Sequence, residues 1–165
     1  MTAYSPADWG GFGATVATAA ATLTGLLFIA VSINLKRILE YPNLPGRVAE
    51  TLIFFVTPLV VAIFLVVPGQ AIAALGTELT ATGLVSAAVL LVIDLQSRPS
   101  TEETSLGRLM TQTLPVLVSS GCLLAAGLSV LARGGGGLYW LVPAGLVAIL
   151  AGLVNTWVLL IEILR

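Results

Sequence analysis

The sequence predicts an all-α fold: a polytopic transmembrane helical bundle of about five spans, N-terminus outside and C-terminus cytoplasmic. Three observations carry this. Of 165 residues, 58% are hydrophobic and 9% charged, whereas a soluble domain needs about 25% charged residues to cover its surface. Several apolar runs reach about 20 residues, the length that crosses a hydrocarbon core roughly 30 Å thick. The cations also divide unevenly between alternate connectors, and that division orients the chain. A single integral membrane domain over residues 1–165 is expected, with spans at about 11–33, 48–67, 70–93, 106–132 and 138–161.

The first span is read as retained, not as a cleavable signal. Asp8 precedes it without any cation, and the small residues ATAAA (17–21) come before the Leu-rich part instead of after it. Its helix should project beyond the membrane through Lys36 and Glu40, until Pro42 and Pro45 in YPNLP stop it. Thr15, Thr18 and Thr22, continued by Gly25 and Ser32, fall on one helical face. Ala17, Ala21 and Gly25 form a small-xxx-small series on an overlapping face. Such faces let helix backbones approach closely in lipid. A hydroxyl-lined pore wall is the alternative reading of the same residues.

In the second span Pro58 removes one helix hydrogen bond and frees the carbonyl of Phe54; Pro115 in the fourth does the same to Thr111. Both are candidate kinks or hinges. Pro68-Gly69 is a tight turn into the third span. Within that span Glu78 is the most suggestive single residue, because an ionisable group in a span is costly and marks function by default. Asp94 marks the opposite interface, and the residues between them rise about 24 Å. Glu78 therefore belongs at a mouth, not at the midplane. Thr82 and Ser86 follow it at i+4 and i+8, a polar stripe running inward.

The fourth helix should start in water near Thr101, where Ser100 and Glu103 have capping-box spacing. RGGGG (133–137) is a short turn into the fifth span, whose first turns hold Pro143. That span carries a second small-residue stripe, Gly145, Ala148, Gly152 and Asn155, open to the same two readings of packing or pore lining.

Five alternating spans put Lys36, Arg37, Arg47, Arg98, Arg108 and Arg165 on one side and Arg133 alone on the other. Short cation-rich loops stay cytoplasmic, which sets the orientation. Tyr4, Trp9, Phe12, Tyr139 and Trp140 then fall at the outer interface, and Tyr41 and Trp157 near the inner one, where amphipathic rings are favoured.

Chemistry is limited by what the chain lacks. It has no histidine, no acidic pair within a span, no metal-ligand spacing, no Ser-centred glycine elbow and no phosphate loop. No enzyme, metal site or cofactor is expected. A net charge of −1 leaves no basic face for nucleic acid. Cys122 is the single cysteine, so no disulfide can form within the chain.

The stretch TLTGLLFIAVSINLKRIL…LPGR…ETL…VPGQ, residues 22–70, resembles a family of small bacterial multi-pass membrane proteins, especially actinobacterial ones. Some of its members carry a label as modulators of the FtsH-type membrane protease. The resemblance implies a bacterial cytoplasmic (inner) membrane location and carries no functional residue across. Together these readings lead to a homo-oligomeric channel or permeation path for an ion or small solute. The alternative is a regulatory or assembly subunit that binds another membrane protein, such as a membrane protease. The expected surroundings are the lipid bilayer, further copies of the chain and, in the alternative, that partner.

Overall fold

In a computed structural model of the chain, residues 2–42, 44–96 and 113–164 are described. Among the described residues five helices are long and apolar enough to cross a membrane. They are α1 (Gly10–Glu40), α2 (Leu44–Val66), α3 (Ile72–Gln96), α4 (Leu114–Ala132) and α5 (Leu141–Leu164). Short 3-10 turns at Thr2–Tyr4 and Pro6–Trp9 precede α1, and another at Gly137–Trp140 leads into α5. Arg98, Arg108, Arg165, the Ser100–Glu103 box and the expected start of the fourth span at 106 lie outside the described residues, as does the side chain of Asp94.

The first connector is shorter than the sequence suggests. Glu40 ends α1 because Tyr41 is extended, at φ −111° and ψ 119°, as a residue before proline must be. Helix then resumes at Leu44 instead of near Val48. Pro45 lies in the first turn, where a missing N–H costs nothing, so it starts a helix as readily as it stops one. Lys36 and Arg37 therefore ride on the last turns of α1 and Arg47 on the first turn of α2.

Two helical hairpins, α1–α2 and α3–α4, are joined through α5, which packs on α2 and α4. α1 lies at the edge: it packs chiefly on α2 and touches α5 lightly. Its inward face is Gly13, Ala20, Leu27 and Ile38. A Cβ on Gly13 would stand 3.0 Å from both the Ala62 carbonyl oxygen and the Leu65 Cβ, which is how closely α1 lies on α2. The α3–α4 crossing is closer still, with Thr80 of α3 seated on Gly127 of α4.

Three apolar clusters fill the bundle from one end to the other. Trp9, Leu65, Leu79, Leu138 and their neighbours close the end that carries the turns. Phe54, Leu90, Val116 and Ala148 occupy the middle. Ile38, Leu44 and Leu159 close the end that carries the first connector.

The turn end is held by hydrogen bonds. Gly135, Gly136 and Gly137 have φ of 86°, 109° and 60°, a run of left-handed residues that only glycine accepts without strain. The Ser129 hydroxyl donates to the Gly134 carbonyl and accepts the Gly137 N–H at 2.7 Å. Tyr4 accepts the Gly136 N–H at 3.3 Å, which ties the N-terminal segment to the same turn. Trp9 meets Phe12 and Tyr139 edge-on at 5.4 and 5.1 Å, and the Trp140 ring N–H reaches the Gly135 carbonyl at 2.7 Å. The aromatic residues expected at one interface are thus gathered at one end of the bundle.

Candidate functional site

The candidate polar residues occupy three separate places. The first is the outward face of α1. Thr15, Thr18, Thr22, Ala21 and Gly25 are exposed there, and Ala17 is half-buried. Thr15, Thr18 and Thr22 line a shallow open depression with Ala19 and Leu23. Each hydroxyl donates to the carbonyl four residues back: Thr15 to Gly11 at 3.0 Å, Thr18 to Ala14 at 2.9 Å and Thr22 to Thr18 at 2.8 Å. Facing lipid therefore leaves none of these donors unsatisfied. A Cβ at Gly25 would meet no atom within 4 Å, so at that point the face packs against nothing among the described residues.

The second place is the corner around Glu78. It lies six residues into α3, about 9 Å from the helix start, and it is half-buried. The Gln70 side-chain amide, from the turn before α3, donates to its carboxylate, while the Gln70 carbonyl oxygen is buried without a partner. The Thr82 hydroxyl donates to the Glu78 backbone carbonyl at 2.7 Å. Ser86 continues this series by spacing but turns away from it. At 3.6 residues per turn, eight residues rotate the direction by about 80°, and Ser86 is buried in the bundle interior with its hydroxyl on the Gly83 carbonyl at 3.1 Å.

The third place is that interior. A cavity of about 30 Å³ lies among all five helices. Its wall is apolar apart from Thr57 of α2, Ser86 of α3, and Ser119 and Ser120 of α4; Pro58, Gly145 and Ala148 also line it. Pro58 is buried within an unbroken α2. Pro115 stands at the second residue of α4, a tolerated position, and Thr111 lies outside the described residues.

The stripe on α5 splits by role. Phe55 sits against Gly152, where a Cβ would come within 2.3 Å of the ring, and Ala148 is in the middle cluster. Gly145 has open space before it. Asn155 is 5% exposed, and its amide nitrogen has no hydrogen-bond partner.

Sequence reasoning missed Glu50, which is 6% exposed beside the fully buried Thr51. Neither Glu50 nor Arg47 lacks an interaction partner. The signal was present: Glu50 stands two residues into the second apolar run, and a charge there is as costly as Glu78. The contact glycines of the α3–α4 crossing, Gly76, Gly83 and Gly127, were missed as well. Among the described residues no three Cys, Asp or Glu side chains gather where a metal ion could sit.

No protein-family model, curated protein or solved structure matches the chain.

Proposed function

We propose that this is a non-enzymatic multi-pass protein of the bacterial cytoplasmic membrane that works by self-association, copies enclosing a permeation path for an ion or small solute. Its N-terminus is outside and its C-terminus cytoplasmic, on the six-to-one division of cations. One observation carries the reading. Thr15, Thr18, Ala21, Thr22 and Gly25 of α1 face away from their own bundle, while the bundle interior is mostly apolar and has room only for a few atoms. A path through a single chain is therefore unsupported, and a path between chains is supported.

The test is the purified protein in nanodiscs and planar bilayers. A stable homo-oligomer that conducts, with Glu78→Gln lowering cation selectivity at low salt and the gap closing at high salt, is the expected result. A monomer that never conducts under varied voltage and pH refutes the reading.

A second reading is favoured by the hydroxyls themselves. All three are committed to their own helix, which suits a dry seam against another helix better than a wet wall. In this reading the chain is a regulatory or assembly subunit docked through α1 on another membrane protein. Residues 22–70 resemble a family some of whose members are labelled modulators of a membrane protease, which would make such a protease one partner. Co-purification of the monomer with one defined partner distinguishes this reading from the first.

A further inference from the structure

We propose that the cavity beside Pro58 is a water site, holding about two water molecules at the centre of the bundle. The inference goes beyond self-association and does not depend on it. Size is the first argument. A buried water needs roughly 10–15 Å³ measured this way, and the cavity offers about 30 Å³. That room suits about two waters and is small for an acyl chain or a metabolite.

Polar partners are the second argument, since a buried water needs about two to four. Pro58 has no N–H, so the Phe54 carbonyl lacks its usual helical donor, and both residues belong to the wall. Ser119 reaches its nearest helix carbonyl, that of Val116, only at 3.4 Å, a weak bond. Ser86 spends its proton on Gly83 but keeps oxygen lone pairs to accept. Ser120, buried on α4, adds another hydroxyl to the same wall. Left dry, the Phe54 carbonyl would lie in a mostly apolar wall without its helical donor, a costly arrangement for a buried polar group. Water is the occupant that removes this cost, because it both donates and accepts.

Two adjacent residues give the test an internal control. Phe54 and Phe55 are each 1% exposed and have the same intrinsic reactivity, but Phe54 lines the cavity and Phe55 packs on Gly152. Radiolysis of the reconstituted protein by a short X-ray pulse makes hydroxyl radicals from bound water as well as bulk water. Tandem mass spectrometry then assigns the oxygen label to one ring or the other. The expected result is a several-fold excess of label on Phe54, which disappears in a Ser119→Ala, Ser120→Ala double variant. Equal labelling of the two rings in the wild-type protein, whether low or high, overturns the proposal. So does an excess on Phe54 that persists undiminished in a folded double variant.

Discussion

Gly127→Ala tests whether the α3–α4 hairpin is held by close backbone approach. The added methyl would lie 2.3 Å from the Thr80 hydroxyl oxygen, 2.6 Å from the Thr80 backbone nitrogen and 2.9 Å from the Gly76 carbonyl oxygen. A side-chain rotation can move the hydroxyl, but nothing moves the nitrogen except displacement of α3. Ordinary contact is about 3.5 Å or more, so the helices must part by roughly 1 Å. Overpacking of this kind costs about 1–3 kcal/mol, and replacing a glycine in a helix returns about 0.5–1 kcal/mol. The net expectation is a loss of up to about 2.5 kcal/mol, and of about 1–3 kcal/mol relative to a glycine replaced in open space. Gly121→Ala supplies the control on the same helix, because its methyl would meet no atom within 4 Å. It should be neutral or stabilising by up to about 1 kcal/mol. Both are measured by unfolding in mixed micelles with rising denaturing detergent, followed by tryptophan fluorescence. If Gly127→Ala proves as stable as Gly121→Ala, the close crossing is refuted.

Three other outcomes follow from the same structure. Ala21→Leu or Gly25→Leu should leave the monomer fold intact, because both sites are exposed in a single chain, and should weaken oligomers on size exclusion; unfolding instead would mean that the face is internal. In a Cys122→Ala background, cysteines at Ser5 and Gly134 should react with an impermeant thiol reagent in intact cells and a cysteine at Glu40 should not; the reverse pattern discards the proposed orientation. Asn155→Leu replaces a buried, unpartnered amide nitrogen with an apolar group of similar size, so stability should hold or rise by about 1 kcal/mol in the same micelle assay; a marked loss would assign that amide a partner.

Span number and approximate position were legible because length and hydropathy report the bilayer directly. The turns were legible for a local reason: Gly69 after Pro68 and the glycines 135–137 need backbone angles that few other residues adopt. Helix ends beside prolines were less so. Pro45 has one sequence signature for stopping a helix and for starting one, and the structure uses it for starting. Which way each face points was the least legible feature. In water, apolar residues mark the inside, but lipid is as apolar as a core and that contrast disappears. Exposed Leu26, Phe28 and Ile29 look no different in composition from buried Leu27. Only size discriminates, and α1 has two small faces. Gly13 and Ala20 pack on α2, while Ala21 and Gly25 look outward. Glu78 shows the related limit of spacing: a stripe drawn at i, i+4 and i+8 is straight on paper but winds around α3, which separates Glu78 from Ser86.

The division of labour among the helices bears on both functional readings. Inside the bundle most glycines are in close contact: Gly13 against α2, Gly76, Gly83 and Gly127 at the α3–α4 crossing, Gly152 under Phe55; Gly145 alone stands open, over the cavity. α1 then keeps a second small face for which its own chain has no use. An exposed glycine on a spanning helix gains nothing from lipid, since an acyl chain fills the space no better than a side chain would. Large residues suit lipid, and farther along the same outward side α1 has them at Leu26, Phe28, Ile29 and Ile33. The first part of that side, through Thr15, Thr18, Ala21, Thr22 and Gly25, differs from the rest in two ways at once: it is thin, and its hydroxyls are already satisfied. A thin face with no hydrogen bonds left to offer can take a second helix at close range without any polar match. That makes contact geometry, and not chemistry at a pocket, the property on which both self-association and partner binding would depend.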